Sequence, residues 1–389
     1  MVEHPRLNWT ADGRARTARW YTTAGDTPPP PRVVAADDKM CADIAYRLVC
    51  EGTAVLWQGD YHGGRQLLAA LGRRIDRRSA RRGRRPAAPA GGRESGPADA
   101  FHRHRQARGH RARLLGMLLV PLAPGPRGAA VPLRRAPDVA DAVAGAYGPV
   151  AEPGAVALRE LLGAVGAHEW RRKGVEVPAL GARVHPHYGV FSPVRGEYVD
   201  LVAEAPLPSK SLAFDVGTGT GVLAAVLARR GVERVVAVDT DPRALACARD
   251  NVERLGLGEQ VEVAAGDLFP PGRAPLVVCN PPWLPAKPTA ALERAVYDPG
   301  GGMLRGFLAG LGAHLEPGGE GWLILSDLAE HLGLRERAEL LAAIEAGGLR
   351  VAARHDTRPR HRRATDPSDP LHAARAAEVT SLWRLTAAG

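Results

Sequence analysis

The chain has 389 residues, 45% of them hydrophobic, and carries 52 lysines and arginines against 42 acids for a formal charge of +10. That length suits two domains, and the apolar fraction can fill two cores, which excludes a wholly disordered or fibrous chain. The N-terminus has no apolar leader, residues 114–123 form the longest apolar run, and Cys41, Cys50, Cys247 and Cys279 show neither CxxC nor metal spacing, so a cytoplasmic protein without membrane span, disulfide or metal is expected.

Residues 1–35 are polar and end near Pro28-Pro-Pro-Pro-Arg32, which predicts a disordered lead-in. From about Asp37 a helical pattern runs through Met40, Ile44 and Leu48, and Thr53-Ala-Val-Leu-Trp57 reads as a short buried strand. Gly59-Asp-Tyr-His-Gly-Gly64 then turns into a helix with Leu67, Leu68 and Leu71 on one face. Residues 77–100 are Arg, Ala, Pro, Gly and Ser without periodicity, so a flexible insert is expected. A buried element resumes at Leu114, a helix is predicted over 156–170, and Pro178-Ala-Leu-Gly181 reads as a hinge. The predicted organisation is therefore a lead-in at 1–35, an N-terminal accessory domain at 36–178 and a second domain at 179–389.

The second half alternates. Strands are predicted at 211–216, 234–239, 260–264, 275–280, 320–326, 349–355 and 378–385, with helices at 220–230, 241–255, 303–315 and 331–346. This period implies right-handed crossovers and a seven-stranded, mostly parallel α/β sheet. The last two strands lack an intervening helix and should form an antiparallel hairpin at the sheet edge.

The charge is uneven. Residues 73–113 hold 14 arginines against Asp76, Glu94 and Asp99, whereas residues 201–349 hold 19 acids against 13 bases. Only four cations are lysines (39, 173, 210 and 287), an arginine skew that a GC-rich coding sequence also produces.

Phe214-Asp-Val-Gly-Thr-Gly-Thr-Gly221 is a strand, a glycine turn and a helix start. Gly217, Gly219 and Gly221 give GxGxG; the dinucleotide fingerprint GxGxxG would need a glycine where Val222 stands. The spacing leans away from a nicotinamide dinucleotide and toward an adenosyl ligand approached closely by bare backbone. Asp239 ends the next strand, where a carboxylate can accept both ribose hydroxyls. Asp267 follows the third strand, in reach of an adenine amino group, and Asp215 precedes the turn, in reach of a ligand ammonium. Asp241 is the better candidate to cap the helix at Pro242, which frees Asp239. A tight structural turn remains the alternative for the glycines alone; three acids at successive strand ends favour a nucleoside-bearing cofactor, because open α/β sheets bind ligands at that edge.

Asn280-Pro-Pro-Trp283 lies 59 residues after Gly221, at the end of the fourth strand. Residues 183–385 resemble the class I S-adenosylmethionine-dependent methyltransferases, and this box is similar to the (N/D/S)PP(Y/F/W) box of their amino-group N-methyltransferases. Phe191-Ser-Pro193 with Tyr198-Val-Asp-Leu-Val202 resembles the lead-in of the HemK-type glutamine and ribosomal-RNA exocyclic-amine groups, and Tyr297-Asp-Pro299 resembles the element after the box in the HemK type. The N-terminal half looks more like the degenerate half of some two-part ribosomal-RNA enzymes. The resemblance implies S-adenosyl-L-methionine held by Asp215, Gly217, Thr218, Gly219, Gly221, Asp239 and Asp267. It also implies a catalytic box in which Asn280 and the Pro281 carbonyl accept two N–H bonds, Pro281 and Pro282 fix the backbone, and Trp283 faces a planar group.

If the 349–355 strand runs parallel to its neighbours, the loop after it overhangs the substrate mouth with Arg358, Arg360, Arg362 and Arg363, joined from the lead-in by Phe191. RNA, ribosomal or translation-factor partners are then expected, with an exocyclic amine of rRNA or tRNA first, a protein glutamine next and a small planar metabolite third. A nicotinamide-dependent oxidoreductase and a non-catalytic RNA-binding protein stay open as other classes. His185 and His187 read as loop or cleft residues, since no third ligand lies near them.

Overall fold

The computed structural model describes residues 5–11, 13–23, 27–83, 96–194, 196–288, 293, 295–360 and 364–388. The chain divides into two compact units, Met1–Glu94 with His102–Glu169 and Ser95–Phe101 with Trp170–Gly389.

In the first unit, β1 (Arg6–Ala11), β2 (Arg14–Tyr21), β3 (Arg32–Ala36), β4 (Thr53–Trp57), β5 (Leu118–Gly125), β6 (Gly128–Ala130) and β7 (Gly154–Ala157) form one mixed sheet. Its order is β1-β2-β7-β5-β4-β3, with β6 paired to β5. The helices here are α1 (Ala42–Cys50), α2 (Tyr61–Gly83), α3 (Pro97–Leu115), α4 (Ala140–Tyr147) and α5 (Leu158–Lys173); the first residues of α3 and the last of α5 are assigned to the second unit. The predicted lead-in is corrected here. β1 and β2 form an antiparallel hairpin, β2 pairs in parallel with β7, and Leu7, Trp20, Tyr21 and Val33 are buried. The pairing of β2 with β7, far along the chain, recruits this polar hairpin to the sheet, which local pattern alone does not mark.

The flexible insert is corrected in part: residues 77–83 end α2 and residues 97–100 begin α3, while 84–95 lie outside the described residues. Arginine and alanine are strong helix formers, so the helix outruns its apolar stripe at Leu71 and Ile75. In α1 the buried positions are Ala45 and Val49, and Ile44 faces out.

In the second unit, β8 (Val175–Val177) and β9 (Ala182–Val184) form a small antiparallel pair. The 3-10 turn Pro178–Leu180 joins them and Gly181 closes it in the left-handed region. Val177, Leu180 and Val184 belong to the unit's core. The predicted hinge at 178–181 is therefore a hairpin turn within one unit, and the division falls between Glu169 and Trp170.

After α6 (Glu197–Glu204), the main sheet is built from β10 (Leu212–Val216), β11 (Arg234–Asp239), β12 (Val261–Ala265), β13 (Ala274–Cys279), β14 (Leu315–Ser326), β15 (Leu349–Thr357) and β16 (Thr380–Ala387). Its order is β12-β11-β10-β13-β14-β16-β15. The first five strands are parallel, and β16 runs antiparallel between β14 and β15. The expected α/β architecture is what is found, down to the antiparallel edge pair, and the second sheet does not repeat the order of the first. Helices α7 (Val222–Arg229), α8 (Pro242–Arg254), α9 (Gly302–His314), α10 (Leu328–His331), α11 (Arg337–Ala346) and α12 (His372–Ala377) fill the connections. The single helix predicted at 331–346 is two pieces, and the polar loop at 357–376 runs into α12.

Two apolar layers sandwich this sheet. One contains Val226, Val235, Val278 and Ile324; the other contains Phe214, Val277, Phe307 and Leu323. Strand residues alternate between the layers because successive side chains point to opposite faces. Among the described residues no helix is long and apolar enough to cross a membrane.

Candidate active site at the carboxyl edge of the second sheet

The parallel register sets the site. Val216 pairs with Val238 on one side and with Cys279 on the other, so β10, β11 and β13 end level. The glycine turn and Asn280 follow the ends of β10 and β13 directly, and Asp239 is the last residue of β11. With strands ~4.8 Å apart, Asp239 and Asn280 flank the turn about 10 Å from each other.

The turn needs its glycines. Gly217, Gly219 and Gly221 have φ of +72°, +56° and +78°, a region in which a Cβ is strained. A Cβ on Gly221 would press on Ala248 at 3.3 Å, whereas one on Gly219 would meet nothing within 4 Å. Gly221 is thus bare for helix packing and Gly219 faces open space. Above Gly217, the Met303 methyl group would lie 2.5 Å from an added Cβ. The amides of Gly217 and Thr218 both donate to the Val238 carbonyl at 2.9 Å.

Two carboxylates brace this turn. Asp239 Oδ2 accepts from the Gly219 amide at 3.0 Å and Oδ1 from the Asp241 amide at 2.9 Å. Asp241 itself caps α8 by accepting from the Arg243 amide at 2.9 Å. Asp215 is 1% exposed. Its Oδ2 accepts from Thr218 Oγ1 at 2.6 Å and from the Ala224 amide at 3.1 Å. Burial pushes its carboxyl up to about 6, against the pull of the Thr218 and Ala224 hydrogen bonds. Asp215 is thus bonded inward to the turn and to α7. Asp267 is exposed, two residues beyond β12, and is followed by Leu268 at φ +66°.

On the other flank, the Trp283 indole N–H donates to Asn280 Oδ1 at 2.9 Å. Trp283 is partly buried against both apolar layers, and Phe191 packs on the first of them. Behind the box, Leu284 bridges Tyr297, and Asp298 is 7% exposed. Asp298 Oδ2 accepts from the Met303 and Leu304 amides at 2.9 and 3.3 Å, stapling the box to the start of α9. Cys279 is buried, which drives its thiol well above the ordinary range, away from nucleophile chemistry.

Sequence reasoning missed Asn251. Its side chain, 1% exposed, accepts from the His185 amide at 2.7 Å and donates to the Thr220 carbonyl at 3.0 Å, tying the lead-in to the glycine turn. A polar residue on the buried face of α8, beside Cys247, Ala248 and Val252, is the signal that marks it. His185 Nδ1 meets the Arg171 carbonyl at 2.7 Å, and His187 Nε2 meets Asp250 Oδ2 at 2.9 Å. Among the described residues no group of three His, Cys, Asp or Glu is placed to hold a metal ion.

The arginine loop is brought to the edge only in part. β15 does run parallel to β14, and Arg358 is exposed just beyond it. Arg360 pairs with Asp200 on α6 at 3.7 Å. Arg362 and Arg363 lie outside the described residues.

Residues 202–285 match the family model described as ribosomal protein L11 methyltransferase (PrmA). That segment holds both the glycine turn and the Asn280 box. The release factor glutamine methyltransferase of Cereibacter sphaeroides is 33% identical over 169 residues, which are 40% of this chain and 58% of that protein. The ribosomal protein L11 methyltransferase of Pelotomaculum thermopropionicum is 39% identical over 146 residues, 37% of this chain and 39% of that protein. The chain therefore spans 58% or less of the length of these relatives. A solved ribosomal protein L11 methylase from Lactobacillus delbrueckii subsp. bulgaricus aligns over 51% of this chain and 82% of its own, at 15% identity and a TM-score of 0.37.

The residues around the turn suit an adenosyl ligand. Gly219 opens on free space, Asp239 stands at the end of β11, and Asp267 is exposed beyond β12.

Proposed function

We propose that this chain transfers a methyl group from S-adenosyl-L-methionine to a planar nitrogen, and that the acceptor is the side-chain amide of a glutamine in a protein of the translation machinery. One observation carries the reading: an Asn-Pro-Pro-Trp box one strand away from a glycine turn, in a register that ends β10 and β13 level. The names of the matched relatives support a protein nitrogen and move it ahead of the RNA amine that the sequence alone favoured.

When bound, S-adenosylmethionine supplies an electrophilic methyl group. The chain's own part is to align the nitrogen and relieve the positive charge that builds on it. Asn280 Oδ1 keeps a lone pair beside its bond from Trp283, and the Pro281 carbonyl lies next in sequence. In this reading they accept the two N–H bonds of the amide, turning its lone pair toward the methyl carbon. The N–C bond forms as the C–S bond breaks, and a proton then leaves the nitrogen. Pro281 and Pro282 restrict φ and hold the carbonyl still, while Trp283 covers the planar group. The glycine turn with Thr218, Asp215 and Asp239 would seat the adenosyl ligand, and Asp267 would reach its base.

An exocyclic amine of rRNA or tRNA is the second reading, favoured by the exposed Arg358 beyond β15. Labelled-methyl transfer to purified release factors, ribosomal proteins and total RNA in parallel separates the two. Label in the protein fractions is expected. Label in RNA alone would overturn the glutamine assignment, and failure to bind S-adenosylhomocysteine would overturn the reaction class.

A further inference from the structure

The first unit holds a concavity that the proposed methyl transfer does not use. A cleft of about 510 Å³ is lined by Asp43 and Tyr46 of α1 and by Arg74, Arg77, Arg78 and Arg81 of α2. The four arginines fall at helical spacings of three and four, so one face of α2 carries them all. Asp43 is the single acid in the lining, and Arg74 holds it at 2.8 Å. Asp76, the one acid on α2, is not in the lining and receives Arg111 at 2.7 and 3.2 Å. Arg77, Arg78 and Arg81 are exposed, and none forms an ion pair within 4.0 Å among the described residues; Arg77 Nε donates to the Arg73 carbonyl at 3.2 Å and its charge adds to that of Arg74 on Asp43.

An arginine-rich composition explains why α2 has many cations but not why they converge on one cleft. Like charges at i and i+4, such as Arg74 with Arg78 and Arg77 with Arg81, destabilise a helix. A dense polyanion relieves that repulsion.

We propose that this cleft binds the phosphodiester backbone of an RNA strand. From Arg74 to Arg81 the helix rises about 10 Å at ~1.5 Å per residue. The ~3.4 Å charge spacing of a nucleic acid strand is measured along a duplex axis; along the strand itself successive phosphates lie farther apart, and about two fit that span. An extended peptide matches this only where alternate residues are all acidic, because one face recurs every ~7 Å, whereas a nucleic acid strand carries a charge at every nucleotide whatever its sequence. The guanidinium fork matches phosphate oxygens in pairs. Tyr46, partly buried in the cleft wall, gives a flat surface beside them. The inference is independent of which nitrogen is methylated: RNA here positions the protein, and chemistry stays at the Asn280 box.

The test uses the full chain and a fluorescently labelled 20-nucleotide RNA, read by anisotropy across a salt series. The triple variant Arg77→Ala, Arg78→Ala, Arg81→Ala should bind at least about tenfold more weakly, and its log K against log salt slope should fall by about 1.4, at ~0.7 for each of two phosphates no longer neutralised. A control triple removes three exposed arginines of the same unit, Arg14→Ala, Arg16→Ala, Arg159→Ala, with the same change in net charge. Equal losses in both triples mean diffuse attraction and overturn the proposal, as does unchanged binding in the first. Polyglutamate of equal charge displacing the RNA as well as unlabelled RNA does would overturn it too. Arg77→Lys, Arg78→Lys, Arg81→Lys should keep most of the salt slope, and its complete loss with circular dichroism unchanged would also count against the cleft.

Discussion

The Trp283 indole N–H points at Asn280 Oδ1 from 2.9 Å, three residues along the same short box. Indole nitrogen only donates, so the carboxamide atom facing it must be the oxygen. Trp283 thus sets the orientation of the group that, in the proposed reaction, receives the substrate N–H. Trp283→Phe keeps a flat ring but deletes the donor. Loss of a hydrogen bond worth about 1 kcal/mol frees the amide to rotate. Single-turnover methyl transfer should slow by about fivefold to tenfold, with affinity for S-adenosylhomocysteine unchanged. An undiminished rate would leave Trp283 with no orienting role.

Asn280→Ala removes the acceptor itself. Deleting one preorganised hydrogen-bonding group from a charge-stabilising site costs about 10²–10³ in rate. Because Asn280 lies a strand away from the glycine turn, the adenosyl ligand should bind the variant within about twofold of the parent by calorimetry. Parallel collapse of binding and rate would point to a folding defect, and a full rate would remove Asn280 from the chemistry.

Strand ends at β10, β11 and β13 were legible because a continuous apolar run, a glycine turn and an Asn-Pro-Pro stop each mark a boundary locally. β1 and β2 were not, since they are rich in exposed polar residues and their hairpin joins the sheet through the pairing of β2 with β7, more than a hundred residues away. The bracing by Asn251 was likewise hidden: its two partners, His185 and Thr220, lie 66 and 31 positions from it. Asp215 was legible as the residue ahead of the turn, but its bonds to Thr218 and Ala224 were not, because sequence shows position and not the direction in which a carboxylate faces. The arginine face of α2 was visible as composition; only the neighbouring α1 turns it into a cleft.

Asp215 makes stability depend on pH in a defined direction. Its carboxyl is pushed up to about 6 by burial in the native state and returns to about 3.9 on unfolding. Between those values the native state holds the extra proton, so the contribution is full below about pH 4 and is lost as pH rises through about 6. Asp215→Asn cannot ionise, and its single carboxamide oxygen can still accept from Thr218 and Ala224. Relative to the parent, the variant should therefore gain stability as pH climbs from 4 to 7, by a sum on the order of 3 kcal/mol. Urea midpoints at four pH values measure it. A constant difference across the series would show that Asp215 does not titrate in that window.

Asp239 and Asp267 should separate by what each loses. Asp239 accepts from the amides of Gly219 and Asp241, so Asp239→Ala leaves two backbone donors without their carboxylate. Hydrogen bonds to a charged group contribute about 1.5–3 kcal/mol; the variant should melt several degrees lower and bind S-adenosylhomocysteine more than tenfold more weakly. Asp267 is exposed, with no side-chain bond among the described residues to lose. Asp267→Ala should keep the parent melting temperature and weaken adenosyl binding alone. Inosyl analogues, which lack the amino group, should then bind parent and Asp267→Ala alike. If Asp267→Ala instead lowers stability and spares affinity, the adenine contact is wrong and the ligand lies along Asp239 only.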